Sequence, residues 1–323
     1  MGKKVGHKIY NVIRSILVTA ILAVATVYVV LYLVLSIPSV QNKIKEAGCE
    51  ELSGLLGTDV SIEEVNITPF NQVVLHGVHV SGEKGDTILS ADKVGVGFSM
   101  FNLLVRQRVV FTYAELIGLD GRLSRLDKNS PLNIQFIIDA LSPKQSNTEP
   151  KRYDLNIRNV VIRRSRFSYD VLSADTLAMG NFDANHIELA DIRADISLPR
   201  IKNNDYLIEL KRLSFKETKG FSVNNLAIEV EANDSVIGLS DIKIELPGSR
   251  IAFNDMRLHV NGLGKLRANA ADIPIELSAE DNYVSLSDFK VFNPALGAFD
   301  FPIGFSFMIK GTLSRLEVLE FVV

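Results

Sequence analysis

Tryptophan is absent from this chain of 323 residues, and cysteine occurs once, at Cys49, so an intrachain disulfide framework is excluded. An excess of either charge is missing too. Lys and Arg number 35 against 38 Asp and Glu, a formal net charge of -3, which offers no basis for a nucleic-acid partner. The chain contains no Gly-x-Ser-x-Gly and no His-Glu-x-x-His, and Gly262-Leu263-Gly264-Lys265 lacks the spacing and the Ser/Thr of a phosphate loop and reads as a turn. Long helical periodicity is scarce after the first 60 residues. What remains is 47% hydrophobic and 23% charged, enough for a sizeable core and too apolar for disorder.

Most of that apolar content alternates. In the stretch Phe221 to Leu246, Leu226, Ile228 and Val230 are separated by Ala227 and Glu229, and Ile242, Ile244 and Leu246 by Lys243 and Glu245. Period-2 alternation is the signature of a strand with one apolar and one wet face. The same reading predicts strands over Val60–Ile67, Val73–Val80, Thr87–Ser99, Arg108–Leu116, Leu119–Leu126, Tyr153–Ile162, Arg166–Tyr169, Asn181–Leu189, Ile192–Leu198, Tyr206–Glu217, Phe221–Glu231 and Val236–Leu246. It continues with Ser249–Val260, Lys265–Leu277, Tyr283–Phe292, Pro302–Lys310 and Leu313–Val322. Polar turns fall between them at Ser81–Asp86, Asn203-Asn204-Asp205, Asn233-Asp234, Asn261-Gly262 and Glu280-Asp281-Asn282. The expectation is mainly β: a long antiparallel, curved open sheet, a groove, with one or two short helices and little to cover its apolar face.

Two segments break the pattern. Residues 15–37, SILVTAILAVATVYVVLYLVLSI, carry no charge. At about 1.5 Å rise per residue they span a hydrocarbon core of about 30 Å with some tilt. The run is too long for a signal-peptide core, and Leu35-Ser36-Ile37-Pro38 is a poor cleavage site, so an uncleaved anchor is expected. Lys3, Lys4, Lys8 and Arg14 precede it and only Lys43 and Lys45 follow closely, which places residues 1–14 in the cytoplasm as a basic tail and the rest across the membrane, in a periplasm. Residues 38–57 read as a helical stalk, with Val40, Ile44 and Ala47 on one face, Ser39 as the cap and Gly57 just past the end. Ala47-Gly48-Cys49 is similar to the end of a lipoprotein signal, but Glu46 stands where an aliphatic residue belongs, so Cys49 reads as a small helix residue. A β-region covers 58–141 and ends in a short helix, 130–141, capped by Ser130 with Pro131 at its first position. Residues 142–152 are a polar loop, and strands resume over 153–323.

Few residues invite chemistry. His76 and His79 are three apart, which on a regular strand points them to opposite faces and prevents a shared metal ion without a bulge. His186 and His259 stand alone, and His7 lies in the basic tail. Carboxylates alternate with apolar residues and read as the solvated face, not as a paired acid and base. Arg158, Arg164 and Arg166, with Arg163 nearby, share a strand face by simple alternation and read as a wet face open to an anionic partner. Asn66-Ile67-Thr68 matches a glycosylation acceptor, which has no consequence in a bacterial periplasm. No catalytic residue, cofactor or metal is expected.

The succession LLGTDVSI, VNITPFNQVVLHGVHV and GDTILSADKVGVGF behind an N-terminal anchor resembles the start of AsmA-like proteins, and within them the TamB branch of the Bacteroides type. LNIQFIIDAL and FKETKGFSVNNLAIEV…ELPGSRI add to the likeness. The resemblance is strongest to about Leu141 and looser beyond. It implies an inner-membrane component of the translocation and assembly module, linked to phospholipid transport towards the outer membrane and to an outer-membrane barrel partner of the Omp85 type. Members are longer and end in a further β-rich domain, so this chain, which stops in LEVLEFVV, is expected to be a portion of such a protein.

Three readings follow. In the first the sheet is a conduit whose inner face shelters phospholipid acyl chains, lined by Leu226, Ile228, Val230, Ile242, Ile244, Leu246, Ile251, Phe253, Phe305 and Phe307. In the second its edges template strands of outer-membrane or secreted proteins. In the third two apolar faces cover each other as a closed β-sandwich. An enzyme fits the residues least well.

Overall fold

The computed structural model describes residues 2–69, 71–82, 85–106, 109–141, 153–177, 180–202, 205–260, 273–312 and 314–323. Two helices come first, α1 (Gly2–Leu35) and α2 (Pro38–Leu56). Within α1, Ile13–Leu35 is long and apolar enough to cross a membrane, and none of its apolar window is buried inside the protein. Pro38 at the first turn sets the start of α2, so Ser39 lies inside the helix and caps nothing; Gly57 closes it in the left-handed conformation, its N–H donating to the Ser53 carbonyl.

The strands are β1 (Val60–Thr68), β2 (Gln72–Ser81), β3 (Thr87–Phe98), β4 (Val109–Arg125), β5 (Tyr153–Val171), β6 (His186–Lys202), β7 (Asp205–Glu217), β8 (Ser222–Ala232), β9 (Val236–Glu245), β10 (Arg250–Ala252), β11 (Met256–His259), β12 (Pro274–Ser285), β13 (Pro302–Thr312) and β14 (Arg315–Val322). They form one open, curved sheet in chain order, except that β11 sits beside β9 off the main path. The pairing is antiparallel apart from one pair. β4 and β5 run parallel, Val109 beside Tyr153 and Arg125 beside Val171. Two short helices interrupt the meander, α3 (Met100–Arg106) and α4 (Gln135–Leu141).

α4 starts five residues later than its sequence suggests. The Ser130 hydroxyl donates to the Asp127 carboxylate at 2.8 Å instead of capping a helix. Asn133 accepts the Ser124 N–H and donates to the Arg122 carbonyl, which clips Ser130–Ile134 to the end of β4. The polar loop 142–152, the Asn261-Gly262 turn and the strand start at Lys265 lie outside the described residues. Ser249–Val260 divides into β10 and β11, and Tyr283–Phe292 is the end of β12 followed by a 3-10 turn over Leu286–Phe289.

Four strands are longer than alternation suggests: β4, β5, β6 and β12 each join two stretches whose apolar positions are out of phase. The joints are residues with positive φ: Gly118 at 65°, Arg164 at 51°, Asp191 at 53° and Asp281 at 52°. Asp241, at 51°, does the same in β9. On β5, β6, β9 and β12 the residue belongs to a bulge, where two residues oppose one on a neighbouring strand. Each bulge returns the second apolar stretch to the face of the first. Ile162 and Phe167 line one cavity across Arg164, as do Leu189 and Ile192 across Asp191. In β1–β4 the ladder keeps its register through the same line. Gly77, at φ 58°, and Gly118 leave room for the Glu63 and Asp92 side chains, which a Cβ at either glycine would strike at 2.2 and 2.0 Å.

The best-buried core is local. α2 and α4 cover the start of the sheet: Ile44, Cys49 and Leu52 pack on Ile62, Val65, Val78 and Ala91, while Leu56, Ile134 and Ile137 pack with Val60, Val80 and Ile88. Among the described residues no second sheet lies over the rest; the strands pack chiefly on their ladder neighbours as one open sheet, not as a closed sandwich. The accessible surface, 21128 Å², exceeds the roughly 13,000 Å² of a compact monomer of this size, the excess lying on the bare α1 and on the open sheet.

Candidate functional site

The face that α2 covers at β1–β3 continues across the sheet with its cover removed. On β8 the side chains of Leu226, Ile228 and Val230 project to one side. Leu226 stands opposite Ile244, and Val230 opposite Leu239. The Asp241 bulge puts Ile242 beside Ile228, so β9 presents Leu239, Ile242 and Ile244 together even though their numbers change parity. Ile251 on β10 pairs with Ile244, and the Phe253 N–H donates to the Ile242 carbonyl at 3.0 Å. On β13, Phe305 and Phe307 share a face by simple alternation, and the bulge at Asp281 of β12 brings Asn282 and Ala279 opposite them. The Phe307 ring meets Phe253 edge-on with centroids 6.2 Å apart and stacks on Phe305 at the same distance. Nine of these sequence-proposed residues are half-buried. Leu246 alone is buried, at the far end of β9.

Two structures narrow the trough. Under α2 and α4 a cavity of about 450 Å³ is lined by Leu56, Val80, Leu119, Ile162, Phe167 and Leu189, almost wholly apolar. At the ends of β6–β9, residues 286–299 fold over as a strap. Phe292 packs on Phe182 at 4.8 Å and on Phe221 at 5.3 Å, and Phe289 lies 6.3 Å from Phe221. The strap is pinned by Asp288, whose carboxylate accepts the Gly248 N–H and the Ser249 hydroxyl, and by the Phe182 N–H donating to the Val291 carbonyl. Sequence alternation missed the strap, whose first half was read as the strand Tyr283–Phe292; its signal is the aromatic spacing Phe289, Phe292, Phe299.

The last strand leaves the sheet open at one edge. β14 pairs only with β13, and Leu316, Val318 and Phe321 extend the Ile309 and Phe307 face outward, with Val318 66% exposed.

The polar groups are arranged for structure. His76 and His79 do fall on one face, because the irregularity at Gly77 supplies what a regular strand lacks: Leu75 and Val78 both point to α2, so both histidines point away. Among the described residues no three His, Cys, Asp or Glu gather in a way that would hold a metal ion. Of the basic cluster, Arg163 is held by Asp195 at 2.5 Å, and Arg164 occupies the bulge, which breaks the alternation that aligns Arg158 with Arg166. His186 sits between two acceptors, the Asp170 carboxylate at 3.1 Å and the Ala174 carbonyl at 3.0 Å; the Asp170 contact, then the carbonyl, raise its pKa. Asp183, 1% exposed, accepts the Leu177 and Asn185 N–H groups, which hold its carboxyl below the ordinary range.

Compared with known proteins, the chain matches no family model, no curated protein and no solved structure.

Proposed function

We propose that the chain is a membrane-anchored β-trough that shields phospholipid acyl chains, with α1 in a bacterial inner membrane, its N-terminus cytoplasmic and the sheet in the periplasm, contributing to phospholipid transport between inner and outer membranes and so to outer-membrane biogenesis. The observation that carries this reading is the apolar face over β8–β13, where Leu226, Ile228, Ile244, Phe253 and Phe307 are only half-buried and no second sheet covers them among the described residues. Fully burying a Leu, Ile or Val is worth about 1.5–3 kcal/mol, so a bare face of this extent forgoes tens of kcal/mol unless something apolar occupies it. An acyl chain fits: each methylene kept from water contributes about 0.8 kcal/mol, which is the barrier a two-chain lipid meets when it crosses an aqueous gap unshielded. The track needs no bond chemistry, so the chain is read as a non-enzyme. The likeness of its first part to AsmA-like proteins of the TamB branch points the same way.

Photo-crosslinking groups at Ile228, Ile244 or Phe253 test the reading. They should capture phospholipid from membranes, and capture of water alone would refute it. A second reading has its own observation: β14, which among the described residues pairs only with β13 and carries Leu316, Val318 and Phe321 on one exposed face, suits strand addition by an outer-membrane or secreted β-protein working with a barrel partner. Crosslinks to nascent barrel chains from Leu316 or Val318 would favour it.

A further inference from the structure

The near ends of β1–β4 meet α1 within its apolar stretch. The Tyr28 hydroxyl donates to the Pro69 carbonyl in the turn between β1 and β2, with the Asn71 amide oxygen 3.1 Å away. Tyr28 and Tyr32 are the only aromatic residues of Ile13–Leu35, and tyrosines collect where hydrocarbon gives way to headgroups. If α1 crosses a bilayer, this turn therefore meets the leaflet around the Leu35 half of α1, seven residues or about 10 Å in from that end. α3 is joined to the same place: the Phe98 N–H donates to the Asn71 carbonyl, and Ser99 opens α3, its hydroxyl accepting the Asn102 N–H.

α3 is oddly apolar for a surface helix. Phe101 and Val105, four residues apart and so on one side, are each 64% exposed, and Arg106 follows in the last turn. Beside it a polar cavity of about 300 Å³ is lined by Asn71, Gln72, Thr112 and Tyr113. An apolar side next to polar groups and a terminal cation is the composition of a segment lying in a membrane surface.

We propose that α3 is an interfacial foot: Phe101 and Val105 insert into the leaflet that surrounds the upper part of α1, so the sheet stands on the lipid surface at β1–β4 and does not hang from α1 alone. This deepens the acyl-chain reading and rests on its membrane anchor, since it fixes where lipid can pass from the leaflet to the covered start of the apolar face.

The absence of tryptophan makes the test direct. Phe101→Trp and Val105→Trp each place the only indole of the full chain at α3, and Lys216→Trp, on an exposed residue at the far end of β7, is the control. Each protein is reconstituted in phosphatidylglycerol–phosphatidylethanolamine vesicles with acyl chains brominated near the headgroup or near the bilayer centre. Insertion of about 5–10 Å predicts that the two α3 indoles lose about half or more of their emission to shallow bromines and less to deep ones, with Lys216→Trp unchanged. Protein that floats with the vesicles while its α3 indole stays as unquenched as the control overturns the foot and leaves the trough reading standing. Stronger quenching by deep bromines overturns the interfacial position. Protein that does not float removes the anchor and this inference with it.

Discussion

Ile244→Asp separates an occupied trough from every other account of the apolar face. Ile244 sits mid-face on β9, between Leu226 of β8 and Ile251 of β10, and is half-buried by those lateral neighbours alone. With no protein over it, an aspartate there keeps its hydration in the lipid-free state and should lower folding stability by only about 1 kcal/mol, the loss of one partly buried aliphatic group. An acyl chain above it changes the balance. A carboxylate against hydrocarbon costs about 2.5–3.5 kcal/mol on insertion scales, and at about 1.4 kcal/mol per factor of ten that lowers lipid occupancy roughly a hundredfold. The full chain, purified in mild detergent, is assayed for phosphate per mole of protein and for its denaturation midpoint. A folded variant that has lost its lipid is the expected result. A variant that does not fold would mean Ile244 is enclosed by protein, where an unpaired charge costs more than about 4 kcal/mol. A folded variant with its lipid intact would mean the lipid lies elsewhere. Either outcome refutes the reasoning.

Other substitutions probe the frame of the sheet. Ile88, 1% exposed between α2, α4 and Val80, should lose about 2–5 kcal/mol on replacement by Ala, measured by denaturant titration, several times the cost of the same change at Ile228. Gly118→Ala should destabilise by about 1–3 kcal/mol in the same titration, since φ is 65° and the new methyl strikes the Asp92 carboxylate; Asp92→Ala in the same chain should recover part of the loss. His186 binds its proton more tightly folded than unfolded. The stability it contributes is therefore complete below about pH 6.5 and is lost as pH rises through the raised folded value. Melting temperatures at about pH 5.5 and about pH 8.5 should differ less in Asp170→Asn than in the parent chain, because the first cause of the shift is gone.

The elements set by local chemistry were legible. Alternation located β1, β2, β3, β7, β8, β9, β13 and β14 to within a few residues, and Gly57 marked the end of α2 because a left-handed residue closes that turn. Leu226, Ile228 and Val230 were legible as one face because they share a phase, and Leu239 and Ile244 join it by pairing. What depends on distant chain was not legible. The parallel β4–β5 pair is one case, since neither strand carries a mark of its neighbour's direction. α4 started late because the Ser130 hydroxyl and the Asn133 amide had partners on β4 and Asp127 that outcompete a helix cap. The strap over 286–299 was hidden inside apparent strand, since Phe289 and Phe292 bury themselves against Phe221 from another part of the chain.

The four places where alternation broke carry the most information. At Gly118, Arg164, Asp191 and Asp281 the sequence looks like two strands with a gap, and the chain instead runs on through a single residue at positive φ. Such a residue costs about 1–2 kcal/mol unless it is glycine, and Asp tolerates it better than most. A sheet that keeps the cost at one residue on strand after strand gains something from it. Without the bulge the second half of β5 or β6 would turn its apolar side chains to water, and the wet and greasy faces would exchange places halfway along the sheet. With it, Ile162 and Phe167, or Leu189 and Ile192, line one surface on both sides of the line. Bulges also sharpen the bend of the strands that carry them. The same residues therefore bend the strands and hold apolar side chains on one face across the line, which is the property the proposed acyl-chain track requires.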